Sequence, residues 1–165
     1  MSGELFAKFC IDTCALVDLF GRKFPPDLYP SLWPAVEDAL VTGVVISIRE
    51  VYREIAQQRD GLAVWAKKNR GCFRDPDEAQ MHEITRIANA YPDCLDMRKR
   101  RPVNADPWVI AAALAWGLTP VTSESQDSPK KIPAICRAEG IKCADLFYLF
   151  RELGWTFETG REAAG

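Results

Sequence analysis

The fold is decided by the stretch Lys8-Phe9-Cys10-Ile11-Asp12-Thr13-Cys14-Ala15-Leu16-Val17, in which an apolar run passes through a single acid into a second apolar run. The first run, from Leu5 to Ile11, predicts a short strand, and the second, from Cys14 to Phe20, predicts a helix that leads away from it. Asp12 therefore lies at the carboxyl end of a predicted strand. In an open parallel sheet, the loops at that edge build the ligand-binding or active site.

The remainder of the chain alternates between the same two kinds of element. The β-branched run Val44-Val45-Ile46 predicts a strand buried on both faces, and further strands are predicted at 118–122 and 141–143. Apolar periodicity predicts helices at 33–40, 49–57, 62–68, 78–90, 105–116, 132–138 and 146–153. Alternating strands and helices predict an α/β fold with three layers, α/β/α, around a central parallel sheet of about four to five strands. No repeat or linker interrupts the sequence, so we expect residues 1–165 to form one domain.

The bulk composition limits the class of protein. The 165 residues are enough for a hydrophobic core, and a net charge of -2 excludes a generally basic nucleic-acid-binding surface, although a local basic patch can still form. No stretch approaches the roughly 20 apolar residues that a membrane span needs. The start, Met1-Ser2-Gly3-Glu4, lacks the basic residues and long apolar run of a signal peptide. We therefore expect a cytoplasmic protein with no membrane partner.

Cysteine is frequent, but its spacing does not indicate a zinc site. No two cysteines form a Cys-x2-Cys pair, and the only histidine is His82. Without a secretion signal, we expect free thiols that pack like small apolar residues. This expectation covers Cys10, Cys14, Cys72, Cys94, Cys136 and Cys143.

Acidic residues occur at four places where a predicted strand gives way to a helix: Asp12, the pair Glu50 and Glu54, Asp106, and Glu124. If they gather at one sheet edge, each pair repels by roughly 3 kcal/mol at about 5 Å and an effective dielectric near 20. A divalent cation is the usual means of offsetting such a cluster, and an all-oxygen donor set favours Mg²⁺ or Mn²⁺ over zinc. The sequence offers neither a Ser-His or Cys-His partnership near a strand end nor a glycine-rich phosphate loop. Metal-assisted hydrolysis is the chemistry that the pattern favours.

Two of these acids also have a structural interpretation as helix caps. Asp12 and Asp106 both stand at predicted helix starts, where aspartate is a preferred N-cap, and a proline follows Asp106 as it often does at the first helical position. One oxygen of Asp12 can cap the helix while the other faces a metal. Asn104 is an alternative cap for the later helix, which would leave the Asp106 carboxylate for the cleft.

The other acids have a different structural interpretation. Glu50 and Glu54 are four residues apart and share a helix face, where Arg49 and Arg53 alternate with them. Such a face is usually solvated. Glu124, taken alone, is typical of an acid in a polar loop. The case for a metal site therefore rests on the joint pattern.

Four segments together resemble the motifs of PIN-domain ribonucleases, in the same order and over nearly the whole chain. They are Ile11-Asp12-Thr13-Cys14-Ala15-Leu16-Val17, Val51-Tyr52-Arg53-Glu54-Ile55, Asn104-Ala105-Asp106-Pro107-Trp108-Val109-Ile110-Ala111-Ala112-Ala113 and Val121-Thr122-Ser123-Glu124. Glu124 stands where the family usually has aspartate, which lengthens the reach by one methylene. The second motif fits Glu54 better than Glu50. The insertion around 28–36 and the ending 143–149 resemble an uncharacterised, toxin-type (VapC-like) branch.

The resemblance implies an endoribonuclease that cleaves single-stranded RNA by means of a metal-activated water. Asp12 and Asp106 would be the main ligands of one or two Mg²⁺ or Mn²⁺ ions. Glu54, or Glu50 in its place, and Glu124 would complete the metal site or position the water. The toxin-type branch implies the toxin of a toxin–antitoxin pair, with a protein antitoxin and a homodimer as expected partners.

Substrate contacts are predicted at three places. Thr13 and Thr122 would orient a carboxylate or the scissile phosphate, with local backbone hydrogen bonding as the alternative. The run Arg98, Lys99, Arg100 and Arg101 directly precedes the Asp106 motif, and Lys130-Lys131 follows Glu124. Such basic clusters neutralise phosphates, although a solvated charge run has the same composition.

Two other functions remain open at the level of sequence. Glutamate at position 124, where the family usually has aspartate, favours a non-catalytic PIN-like module that binds RNA or a protein partner. A nuclease that acts on structured DNA would use the same chemistry, but the sequence contains no arch-like insertion or helix-hairpin-helix pattern to support it.

Overall fold

The computed structural model describes residues 7–92, 104–127 and 131–160. Within them, a parallel sheet of four strands carries helices on both faces, which confirms the predicted three-layer α/β/α fold. The strands are β1 (Phe9–Ile11), β2 (Val45–Ile48), β3 (Phe73–Arg74) and β4 (Thr119–Val121). The α-helices are α1 (Thr13–Val17), α2 (Leu32–Thr42), α3 (Arg49–Ala56), α4 (Gly61–Lys68), α5 (Glu78–Ala90), α6 (Asp106–Trp116), α7 (Ile132–Glu139) and α8 (Leu146–Leu153). A π-helical turn (Asp18–Arg22) follows α1, and a 3-10 turn (Arg70–Cys72) precedes β3.

The sheet has the strand order β3-β2-β1-β4, and every pairing is parallel. In the central strand β1, Phe9 aligns with Val45 of β2 on one side and with Thr119 of β4 on the other. Every residue of β1 and β2 is buried, as expected for strands that helices cover on both faces. Helix α6 contacts β1, β2 and β4, which explains why its sequence is apolar almost all the way round.

This topology gathers the candidate residues at one edge. β1 leads into α1 through Asp12, β2 leads directly into α3, and β4 ends just before Thr122. Because the three strands are neighbours and parallel, all of these transitions lie at the carboxyl edge of the sheet. None of the helices in the described ranges is both long and apolar enough to cross a membrane.

The structure differs from the sequence-based expectations in three elements. The helix predicted at 14–20 gives way at Asp18 to the π-helical turn, which contains Gly21 at φ 156°. The strand predicted at 141–143 is wrong, because these residues form no strand and a single parallel bridge to Val121 follows them at Ala144. The two-residue strand β3 was not predicted, since it is too short to show a periodicity.

Candidate active site

Asp12 is at once a helix cap and a member of the acidic cluster. The residue is only 3% exposed, and its Oδ1 accepts a hydrogen bond of 2.9 Å from the Ala15 amide at the start of α1. Oδ2 accepts a hydrogen bond of 2.6 Å from the hydroxyl of Thr122, the residue after β4. The predicted helix cap is therefore confirmed, and a side chain from the adjacent strand end fixes the carboxylate.

The environment of Asp12 makes its charged form costly. Burial raises the pKa of the Asp12 carboxyl to about 6, and the charge of Asp106 adds to the rise. Hydrogen bonds from Thr122, Ala15 and Cys14 oppose the rise but do not cancel it. Asp106 is therefore close enough to Asp12 for the two charges to interact. A nearby cation would relieve both the desolvation and the repulsion.

Glu54 connects the first and third acidic segments. Its Oε1 accepts a hydrogen bond of 2.9 Å from the hydroxyl of Thr13 and one of 3.3 Å from the amide of Ala105. Thr13 directly follows Asp12, and Ala105 directly precedes Asp106. The half-buried carboxylate of Glu54 is thus held between the starts of α1 and α6.

Glu50 lies one turn before Glu54 on α3, but its contacts are different. It is 2% exposed, and its Oε1 accepts hydrogen bonds of 3.0 and 2.9 Å from Nε and Nη2 of Arg49. Its Oε2 is buried and has no hydrogen-bond partner among the described residues. Of the two candidates from the second motif, Glu54 is the one that contacts residues beside Asp12 and Asp106.

Asp106 is the first residue of α6 and does not cap the helix with its own side chain. The amide of Asp106 instead donates a hydrogen bond of 3.2 Å to Oδ1 of Asn104. Asn104 therefore binds the first amide of α6, although the N-cap position itself is Ala105, whose side chain makes no capping bond. The charge of Asp106 acts on both Asp12 and Glu124.

Glu124 has contacts of two kinds. Burial, together with the charges of Asp106 and Asp12, raises the pKa of its carboxyl to about 7. On the other side, Oε2 accepts a hydrogen bond of 3.1 Å from the amide of Ile132, the first residue of α7, and Oε1 lies 3.9 Å from Nζ of Lys131. Glu124 therefore joins the acidic cluster to the start of α7, a link that the sequence did not indicate.

The acids of the cluster offer only oxygen donors, which a hard divalent cation prefers. In the described part of the chain, no three histidine, cysteine, aspartate or glutamate side chains are grouped closely enough to hold a metal ion by themselves. Mg²⁺ does not require such a cage, because it usually keeps several waters and takes one or two carboxylates together with phosphate oxygens of the substrate. The oxygen donors of Asp12 and Asp106 fit that requirement, and their repulsion gives a cation a reason to bind.

Cys14 is a site residue whose role the sequence did not reveal. Its thiol lies 3.3 and 3.2 Å from the two carboxylate oxygens of Asp12 and 3.4 Å from the Thr122 hydroxyl. Burial raises the pKa of this thiol to about 12, so at neutral pH it is protonated and donates to Asp12. The only signal in the sequence was the position of Cys14 two residues after Asp12.

The described cysteines are free thiols, as predicted, and Cys94 lies outside the described residues.

The predicted site residues thus fall into three groups. The structure brings together Asp12, Thr13, Glu54, Asp106, Thr122 and Glu124. Glu50 is adjacent on α3 but is paired with Arg49. The basic run Arg98, Lys99, Arg100 and Arg101 lies outside the described residues, as does Lys130.

Fold and site together define an α/β protein with an acidic cluster at the carboxyl edge of a parallel sheet. The family model described as "Domain of unknown function (DUF4411)" matches residues 9–157, and the chain belongs to that family. Among solved structures, the crystal structure of PAE2754 from Pyrobaculum aerophilum is similar, with 14% identity, a TM-score of 0.49, and coverage of 94% of this chain and 95% of that chain. A comparison with curated proteins gives no match. The motif resemblance to PIN-domain ribonucleases stays a prediction.

Proposed function

We propose that the chain is a metal-dependent endoribonuclease that cleaves single-stranded RNA. The observation that carries the proposal is the mutual repulsion of three carboxylates, those of Asp12, Asp106 and Glu124, beside the ends of β1 and β4. A protein that buries such a cluster loses stability unless a cation offsets the repulsion. The four motif resemblances add the reaction class, because the same acids correspond to the catalytic positions of PIN-domain ribonucleases.

The side chains around the cluster support distinct roles for the acids. Asp12 and Asp106 would hold a Mg²⁺ or Mn²⁺ ion. When bound, such an ion lowers the pKa of a water and offsets negative charge that develops on a phosphate. Thr122 and the Ala15 amide fix the Asp12 carboxylate in one orientation before any ligand arrives. A fixed orientation avoids the cost of ordering this carboxylate during the reaction.

Glu54 and Glu124 are suited to handling water and protons. Glu54 is held by donors from both neighbouring segments, Thr13 and Ala105, so its orientation is fixed with respect to each. The pKa of Glu124, at about 7, lies near neutral pH, where a carboxylate is most effective in accepting a proton from an attacking water. The extra methylene of glutamate at this position is compatible with such a role.

The substrate class and the biological setting rest on the motif resemblance. Single-stranded RNA, the role of toxin, a protein antitoxin and a homodimer are all part of the proposal on that basis. A nuclease that acts on structured DNA would share the acidic cluster, so the substrate has to be tested directly.

A second candidate function has one observation in its favour. The carboxylate of Glu124 accepts the Ile132 amide and lies near Lys131, which are contacts that an acid with a purely structural role also makes. In a non-catalytic module that binds RNA or protein, Glu124 would anchor α7 and the cluster would not turn over substrate. The cleavage experiment separates this candidate from the enzyme.

The test uses an RNA oligonucleotide without base pairing, its DNA counterpart and a DNA hairpin. We expect the wild-type protein to cleave the RNA in Mg²⁺ or Mn²⁺, to lose that activity in EDTA, and to leave both DNAs intact. Asp106→Asn should lower RNA cleavage by at least about 100-fold, because the loss of even an outer partner of a metal ligand typically costs about 10–100-fold. The matched control is Asp145→Asn, because Asp145 caps α8 and asparagine caps about as well as aspartate.

Several outcomes would contradict the proposal. Cleavage that persists in EDTA, or that is equal in the wild type and Asp106→Asn, would mean a contaminating or different nuclease. Cleavage of the DNA hairpin in preference to RNA would favour the DNA nuclease. Binding of RNA without cleavage in any metal would favour the non-catalytic module.

A further inference from the structure

A buried ion cluster follows the candidate active site along the chain. Asp18 is fully buried, and its carboxylate pairs with two basic side chains: Nε of Arg22 contacts Oδ1, and Nζ of Lys23 lies 3.2 Å from Oδ2. The side chains of Arg22 and Lys23 are 56% and 58% exposed. The acid is therefore an internal anchor, whereas the two cations reach solvent.

The backbone explains why two consecutive basic residues reach the same carboxylate. Asp18 begins the π-helical turn, and the amide of Lys23 donates a hydrogen bond of 3.2 Å to the carbonyl of Asp18, five residues earlier. In a regular α-helix, position i+4 faces position i but position i+5 does not. Gly21, at φ 156° and ψ −9°, supplies a conformation that favours glycine and allows the wider turn.

The ion cluster lies beside the acidic site. Asp18 is one helical turn beyond Cys14, whose thiol contacts the Asp12 carboxylate. Burial acts to raise the pKa of Asp18, but the nearby polar and basic groups of Arg22, Ser123 and Lys23 outweigh burial and hold the pKa below its usual value. Ser123 is next to Thr122, the other residue that fixes Asp12. The charge of Asp12 also acts on Arg22.

The charges leave a net positive surface at this point. One buried carboxylate is opposed by two cations, so the cluster carries one positive charge in excess. The terminal nitrogens of Arg22 make no hydrogen bond with any described residue. A guanidinium fixed through Nε presents those two nitrogens in the fork geometry that binds a phosphate with two parallel hydrogen bonds.

We propose that Arg22 and Lys23, held in place by Asp18, bind a backbone phosphate of the nucleic-acid substrate next to the acidic cluster. The inference rests on the proposed function, since it concerns the substrate of the same site. The three carboxylates of the acidic cluster repel the phosphates of a nucleic acid. Two cations beside the cluster would offset part of this repulsion. The buried anchor keeps both cations at a fixed place, so less side-chain entropy is lost when the phosphate binds.

The test measures RNA binding by fluorescence anisotropy with an unstructured, labelled oligonucleotide at several salt concentrations. If the wild type cleaves RNA, the binding variants are made in and compared with Asp106→Asn in Mg²⁺, so that the RNA stays intact. If the wild type does not cleave RNA, they are made in and compared with the wild type. For a single strand, each lost phosphate contact lowers the slope of log K against log salt by about 0.7. Lys23→Gln should lower the slope by about 0.7 and weaken binding at about 50 mM salt by roughly tenfold.

A second variant removes both cations without leaving an unpaired buried charge that would destabilise the fold. Replacing both cations alone would leave Asp18 buried without a partner, so the triple variant Asp18→Asn, Arg22→Gln, Lys23→Gln removes the anchor together with them. The slope of this variant should fall by about 1.4. The matched control is Arg86→Gln, because Arg86 is also a partly exposed arginine paired with carboxylates, those of Glu83 and Glu139, and should leave the slope unchanged.

Each outcome decides the inference separately from the proposed function. If the wild type cleaves RNA but both variants keep the wild-type slope, the phosphate site is refuted and the nuclease stands. If the wild type binds RNA with a slope that falls in the variants but never cleaves it, the phosphate site stands and the nuclease is refuted. If the wild type binds no RNA, or if Arg86→Gln lowers the slope as much as Lys23→Gln, the inference is overturned.

Discussion

The metal-free protein should become less stable as the pH rises from 5 to 8. In the folded state, the pKa of Asp12 is raised from 3.8 to about 6 and that of Glu124 from 4.5 to about 7. At a pH between the unfolded-state and folded-state pKa of either carboxyl, the folded protein keeps a proton that the unfolded chain has lost. The resulting stability is fully present below about pH 4 and is lost as the pH rises through about 6 and 7.

The size of this effect follows from the two shifts. If both carboxyls titrated independently, the free energy of unfolding would fall by about 4 kcal/mol between pH 5 and pH 8, with Glu124 contributing more than half. The two titrations are coupled, because the charge of Asp12 is one cause of the raised pKa of Glu124, so the loss belongs to the pair and not to either carboxyl alone. Urea unfolding in EDTA at several pH values measures the loss, and Glu124→Gln should flatten the pH dependence by about half.

Metal should reverse the destabilisation. A cation that binds only the folded state adds about 2.7 kcal/mol at 100 times its dissociation constant, and its affinity should increase as the acids lose their protons. His82→Gln is the control, because His82 is exposed and makes no contact with the acidic cluster among the described residues. A free energy of unfolding in EDTA that is constant or rises from pH 5 to 8 would refute the reasoning, as would an unchanged pH dependence in Glu124→Gln.

The remaining predictions concern the partners of Asp12. Asp106→Asn should raise the free energy of unfolding in EDTA at pH 8 by about 1 kcal/mol, because it removes a repulsive charge, and should reduce the stabilisation by Mg²⁺; a destabilised variant would mean that Asp106 has a mainly structural role. Thr122→Val should lower the free energy of unfolding by about 1–3 kcal/mol, because Asp12 loses its 2.6 Å hydrogen bond, and by more at pH 8 than at pH 5. An equal loss at both pH values would show that the hydroxyl does not stabilise the charged carboxylate.

The position of the acids could be predicted because it follows from sheet topology. Asp12 comes after an apolar run, and in a parallel sheet the carboxyl ends of neighbouring strands meet at one edge. The alternation of strands and helices was sufficient for the fold class, and helices α5 and α8 have the bounds that their periodicity predicts. The strand predicted at 141–143 was wrong, because a short apolar run next to the sheet edge has the same composition whether it forms one bridge or several.

The contacts that distinguish the acids could not be predicted. Glu50 and Glu54 share one helix face, so periodicity does not separate them, and only the motif resemblance favoured Glu54. The contacts of Glu54 with Thr13 and Ala105 depend on the packing of α3 against the starts of α1 and α6. The hydrogen bond that the Ile132 amide donates to Glu124 joins two segments across a loop. The local sequence of a loop does not determine which of its residues come into contact.

The ion cluster at Asp18 shows most clearly where sequence-based reasoning ends. An acid followed by arginine and lysine four and five residues later suggests one i, i+4 pair on a solvated helix, and such a pair contributes little to stability. The π-helical turn changes that interpretation, because it brings both cations to one carboxylate and buries the carboxylate. The turn depends on Gly21, whose backbone conformation is apparent only once the chain is folded. Gly21, which is not one of the acidic residues, thus helps to determine where the positive charge beside the acids is placed.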